Sequence, residues 1–295
     1  MIKDIRNFLN GLAFGITQII PGVSGGTIAI ILGFYFELIE TINHFFKDVR
    51  KNLRYMVPLL TGMAAGILIF SSIIDFLLTN YSFPTMLFFI GLIAGVIPHI
   101  FFKVREENKK ITASDILLVA IPFVILLIIS FLKEANVANP KEVIDNINFP
   151  FIVFIFFAGI IAAAALILPG MSGSFVLLFL GIYPLAIYSI SSIRFLPADF
   201  SNFALILNIC KVLVPLGIGV IIGALSMARL IEKLLKKYHR EVYLAMLGFL
   251  SGSVCVLFLE PMVYKSGISV VIILVGVITF VLGCAAAFKI GKKRL

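Results

Sequence analysis

The chain has 295 residues, of which 61% are hydrophobic and 13% charged, with a mean hydropathy of +1.14. Soluble domains carry about a quarter charged residues, so an ordinary soluble fold is excluded, and no polar stretch is long enough for a separate catalytic or nucleic-acid-binding domain. The formal charge of +9 is what loops held on the cytoplasmic side of a membrane supply, and it implies no nucleic acid.

In chain order, Lys3 and Arg6 precede the first apolar stretch. Asp4 interrupts them and no small-residue cleavage pattern follows, so the segment is expected to stay in the mature chain. Residues 8–42 are apolar but broken in the middle. Uninterrupted runs then cover 55–79, 84–102 and 114–132, each near the 20 or so residues that a helix needs to cross hydrocarbon. A linker at 134–149, expected outside, leads to a second broken apolar stretch at 150–190, followed by runs at 205–228, 242–259 and 267–288. No ten-residue alternation of a transmembrane barrel appears. The expected fold is an all-α integral membrane protein with six clear crossings and two broken segments.

The two halves are copies of one unit. Pro21-Gly22-Val23-Ser24-Gly25-Gly26-Thr27 returns as Pro169-Gly170-Met171-Ser172-Gly173-Ser174-Phe175, and Gly33 with Tyr35 returns as Gly181 with Tyr183, all at an offset of 148. Further on, Val57-Pro58-Leu59, Gly62, Gly66, Gly91 and Gly95 are answered by Val214-Pro215-Leu216, Gly219, Gly223, Gly248 and Gly252 at an offset of 157. Doubled units of this kind build many transporters, and the paired interruptions point at the binding site. The repeats are expected at 1–133 and 150–295.

Charge decides how the halves sit. If each broken segment is a re-entrant hairpin returning to its own side, 19 of the 24 basic residues lie inside, leaving Lys133, Lys141, Arg194, Lys211 and Lys265 outside. A single crossing at either segment would put one of the richest basic loops outside, against the positive-inside rule. Three crossings separate the hairpins, so the halves are expected to be inverted, each a hairpin plus three spans, with both termini cytoplasmic. Irregular backbone survives at membrane depth only when buried in protein or facing a watery cavity, so the hairpin tips mark the expected site.

Pro-Gly-x-Ser-Gly leading into an apolar helix reads as a turn feeding a helix N-terminus, whose amides suit an anion such as phosphate or carboxylate. Gly22, Ser24, Gly25, Gly26 and Thr27 at one tip, and Gly170, Ser172, Gly173 and Ser174 at the other, are the expected binding residues. Tight helix packing alone would also use such residues. Arg54 and Lys211, each four residues before a repeat-matched Pro, are the expected basic partners, against the simpler reading of snorkelling at a helix end. Asp75 and Glu232, which are repeat mates, and Glu37 are the candidate carboxylates for a coupled ion.

Gly-x-Ser-Gly also fits an intramembrane serine protease, but His44, His99 and His239 fall at span ends, away from the tips, so a general base is lacking. No zinc motif or nucleotide loop is present. Cys210, Cys255 and Cys284 stand singly, with no disulfide or metal spacing. No enzyme activity, metal or cofactor is expected.

The doubled Pro-Gly-x-Ser-Gly, with Gly91-x-x-x-Gly95-x-x-Pro98 and Gly248-x-x-x-Gly252-Ser253, resembles the bacterial polyprenyl-phosphate transporter family over essentially the whole chain. Two departures stand out: Phe36 separates Tyr35 from Glu37, and Pro184 follows Tyr183. The resemblance implies return of undecaprenyl phosphate, the lipid carrier of cell-wall precursors, from the outer to the inner leaflet of the bacterial cytoplasmic membrane. The implied partners are that lipid, the membrane lipids and a coupling proton or cation. A transporter of a small soluble anion is the alternative, and oligomeric state is left open.

Overall fold

The computed structural model describes residues 2–20, 23–106, 110–131, 143–144, 147–192, 203–264 and 269–294. Among these there is no strand. The helices are α1 (Ile2–Ile19), α2 (Gly25–Ile31), α3 (Tyr35–Asn43), α4 (Val49–Asn80), α5 (Ser82–Arg105) and α6 (Ala113–Phe131), then α7 (Phe149–Ile167), α8 (Gly173–Phe179), α9 (Tyr183–Ser192), α10 (Phe203–Lys237), α11 (His239–Leu259) and α12 (Val270–Arg294). Several outrun the apolar stretches that announce them. Polar ends continue the hydrogen-bond ladder beyond hydrocarbon, as where Asp48 caps α4 by accepting from the Lys51 N–H at 3.1 Å.

Seven of these helices are long and apolar enough to cross a membrane: α4, α5, α6, α7, α10, α11 and α12. The chain is therefore a multi-pass membrane protein. Six are the expected crossings. The seventh, α7, is the first arm of the second broken segment; its 19 residues carry no charge, whereas α1 carries Lys3, Asp4 and Arg6 and does not qualify.

The chain divides into two compact units: Met1–Ile128 with Leu168–Met171 and Ala228–Leu295, and Ile129–Ile167 with Ser172–Met227. These packing units do not follow the repeat boundaries.

In the first unit small residues let backbones touch. A Cβ added to Gly62 would lie 2.0 Å from the Phe8 carbonyl oxygen, and one on Gly66 2.3 Å from that of Leu12. The contacts advance in the same sense along both helices, so α1 and α4 run parallel, and the chain between them must turn back through α2 and α3. In the same way Gly91 meets Phe280 and Gly95 meets Cys284, which makes α5 and α12 parallel. Gly248 meets Val119 and Gly252 meets Phe123, which makes α6 and α11 parallel.

The second unit holds one such pair. A Cβ added to Gly219 would lie 2.1 Å from the Phe156 carbonyl oxygen and one on Gly223 2.4 Å from that of Ile160, so α7 and α10 are parallel, with α8 and α9 returning the chain between them. Ile155, Ala158, Ile182, Leu185 and Val212 form its core. Gly219 and Gly223 are the repeat mates of Gly62 and Gly66.

The two returns break alike. α2 and α3 are bent by 119°, α8 and α9 by 108°, and the breaks fall at Gly33 (φ +69°) and Gly181 (φ +72°). The N–H of Phe34 donates to Ala29 and that of Gly33 to Ile30; Ile182 donates to Leu177 and Gly181 to Leu178. This is the Schellman arrangement, in which a left-handed residue, favourable only for glycine, closes the last carbonyls of a helix.

Candidate functional site

The first tip lies in the first unit. Ser24 precedes α2 in extended backbone, and its side chain makes no cap bond. Its hydroxyl donates to the Leu168 carbonyl at 3.4 Å. One turn on, Thr27 Oγ1 accepts from the Gly170 N–H at 2.9 Å. Both side chains are fully buried. The turn Leu168–Met171 is thus bonded to the start of α2, and from the other side Gly170 (φ +85°) abuts α11, where an added Cβ would lie 2.6 Å from the Phe249 carbonyl oxygen. Gly25 and Gly26 are buried in the first turn of α2, and Gly25 faces the Phe14 ring and the Gln18 amide of α1. Gly22 lies outside the described residues.

The second tip lies in the second unit. Ser172 precedes α8 with the extended backbone that Ser24 has, again with no cap bond from its side chain. Its hydroxyl lies 2.8 Å from that of Ser174. Gly173 packs against α7, where an added Cβ would lie 2.7 Å from the Ala162 carbonyl oxygen. At each tip, then, the hydroxyls already have hydrogen-bond partners. Buried polar groups keep partners, so an oxyanion arriving there exchanges for bonds already made.

The basic candidates stand elsewhere. Arg54 is largely exposed and its Nε lies 3.7 Å from Asp4 Oδ1, near the start of α1 and roughly 24 Å by helix rise from its tip end. Lys211 is half-buried on α10; the register of Gly219 against Phe156 puts it level with the start of α7, about one helix length from Ser172. Arg54 thus stands apart from the first tip, and Lys211 from the second.

The carboxylates scatter too. Glu37, half-exposed on α3, pairs with Arg6 at 3.4 Å. Asp75 is exposed on the flank of α4, level with the first tip in the α1–α4 register. Glu232 accepts from the Asn43 side chain and lies 3.5 Å from His44 and 2.5 Å from Lys236, which ties the end of α3 to the end of α10. His99 packs on Phe288 and His239 on Tyr243. No histidine contact to Ser24 or Ser172 is present among the described residues, and these residues contain no metal-binding cluster.

Three features escape a sequence reading. Gln18 stands at the first tip, an amide that only the fold brings to Gly25. A cavity of about 600 Å³, almost wholly apolar, runs from Thr17 and Ile28 beside that tip to Tyr81 at the end of α4. Asp115 joins Thr112 in a reciprocal cap at the start of α6 and also takes two hydrogen bonds from Arg240, at 2.6 and 2.9 Å. A Thr-x-x-Asp spacing was there to be seen, but its link to Arg240 spans 125 residues.

Residues 14–271 match the family model described as undecaprenyl phosphate translocase-like. The chain belongs to that family. A polyprenyl-phosphate transporter of Staphylococcus aureus is 29% identical over 289 residues, covering 97% of this chain and 95% of the relative. One from Vibrio cholerae is 28% identical over 263 residues, covering 84% and 76%. No solved structure matches significantly. The matched region takes in both Pro-Gly-x-Ser-Gly segments and all three positive-φ glycines, Gly33, Gly170 and Gly181.

Proposed function

We propose that this protein carries undecaprenyl phosphate from the outer to the inner leaflet of the bacterial cytoplasmic membrane, returning the carrier for cell-wall synthesis. The observation that carries the reading is the buried polar tip, Ser24 and Thr27 against the Leu168–Met171 turn, inside a chain whose relatives bear the name polyprenyl-phosphate transporter. A phosphate crossing hydrocarbon unaided loses its water at a cost of many kcal/mol. Hydroxyls and turn amides at each tip, with Gln18 at the first, replace that water. The apolar cavity beside the first tip gives the isoprenoid tail a protein wall to follow.

The inverted-repeat reading with two re-entrant segments is supported by the parallel pairs, since α1 with α4 and α7 with α10 each require the intervening chain to return. Inward movement of an anion against an inside-negative potential costs about 2.3 kcal/mol per charge per 100 mV. A co-transported proton or cation offsets this, with Asp75, Glu37 and Glu232 as the candidate carriers. Among the described residues no histidine contact to either seryl hydroxyl is present, and the reading assigns no catalysis. Arg54 and Lys211 serve the mouths of the pathway, where they attract the headgroup before it reaches a tip.

The test is binding of a short-chain polyprenyl phosphate to the purified protein, beside the matching alcohol and inorganic phosphate, in wild type and Lys211→Ala. Preference for the lipid phosphate over both controls, with slower uptake in the variant, is expected. Equal binding of inorganic phosphate would replace this reading with a soluble-anion transporter. Transport in vesicles that ignores both pH gradient and potential would remove the coupling.

A further inference from the structure

The geometry points to a second lipid site, apart from the tips: an intramembrane pocket that holds an anionic glycerophospholipid as a resident ligand. The first unit contains a cavity of about 760 Å³ between the C-terminal half of α5 and the N-terminal halves of α6 and α11, within the size range of small-molecule sites. Its wall is of two kinds. Along most of its length Ile97, Phe101, Phe123 and Leu247 present hydrocarbon, and at one end stand Arg105, Lys110 and the Arg240–Asp115 pair.

Three cationic side chains against one carboxylate leave that end positive. Asp115 is committed twice, to Arg240 and to the cap of α6, and both members of the pair are buried. The pair therefore forms a fixed, neutral floor, while Arg105, stacked 5.2 Å over the Phe101 ring, and Lys110, on the exposed loop before α6, carry the net charge. A hydrophobic slot with a cationic end matches a molecule with a hydrocarbon chain and an anionic head. Basic pockets between membrane helices recognise anionic headgroups in this way.

The bilayer decides which amphiphile. A multi-pass chain is surrounded by phospholipid at a concentration no minor lipid reaches, so mass action favours it as the occupant. The site does not depend on what the tips carry.

The experiment is native mass spectrometry of the full chain released from detergent micelles, with phosphatidylglycerol and phosphatidylcholine of matched acyl chains. Wild type should retain phosphatidylglycerol preferentially. Arg105→Gln with Lys110→Gln should cut that preference roughly tenfold. Arg50→Gln with Lys51→Gln, which removes the same charge from α4, should leave it unchanged. Ala120→Phe, which fills the slot, should lower retention of both lipids, and size-exclusion profiles report folding of each variant. An unchanged preference in the Arg105/Lys110 variant overturns the proposal. So does displacement of phosphatidylglycerol by equimolar farnesyl phosphate, which would make the cavity part of the transport route. Loss of farnesyl phosphate binding at the tips with phosphatidylglycerol retention intact would count against the proposed function and leave this site standing.

Discussion

The amide of Gly170 donates to the hydroxyl oxygen of Thr27 across 143 residues of chain, both groups buried. Thr27→Val keeps the shape and removes the acceptor. An unsatisfied buried N–H costs about 1–3 kcal/mol, so the thermal midpoint in detergent should fall, and Thr27→Ser, which keeps the oxygen, should recover most of it. Equal midpoints for the Val and Ser variants would show that the bond contributes nothing.

Gly170 and Gly181 share positive φ but differ in surroundings. Nothing lies within 4 Å of a Cβ on Gly181, so Gly181→Ala should cost only the left-handed strain, about 1–2 kcal/mol. Gly170→Ala adds a clash with the Phe249 backbone and should abolish folded material. Yield of monodisperse protein for the two variants separates these outcomes.

The Asp115–Arg240 pair should behave as a buried ion pair. Removing one partner strands the other charge at a cost of about 3–5 kcal/mol, so Asp115→Leu and Arg240→Met should each destabilise strongly. The double variant should be milder than the sum. A thermal-denaturation cycle measures this, and additive losses would mean that the two side chains act independently.

Gly62→Leu and Gly219→Leu probe corresponding contacts, where a side chain would enter the backbone of α1 or α7. Both should lower the thermal midpoint strongly, while Gly217→Leu, with open space around its Cβ, should leave it within about 0.5 kcal/mol equivalent. A large effect at Gly217 would contradict the open space around it.

Hydropathy and charge carry most of the helix pattern, because about 20 apolar residues in hydrocarbon have little choice but helix. The Pro-Gly-x-Ser-Gly repeat coincides with breaks between helices, after α1 and after α7, because only special backbone needs those residues. What the pattern lacks is the identity of partners. Thr27 reads as a free hydroxyl in the sequence, and its commitment to Gly170 depends on how distant segments pack. Arg54 and Lys211 were legible as repeat mates, but Arg54 stands apart from the first tip and Lys211 from the second. α7 was harder, since an uncharged 19-residue run is equally an arm or a span by composition.

The Thr27–Gly170 bond also bears on how the protein is made. When the first half of the chain enters the membrane, Gly170 has not yet been synthesised, and the buried hydroxyls of Ser24 and Thr27 have no Leu168 or Gly170 to meet. The first tip is completed only when the second Pro-Gly arrives, and the unit that contains it closes only with α11 and α12. The N-terminal half is thus a waiting intermediate, and a chain cut in the 134–149 linker should assemble only when both pieces are expressed together.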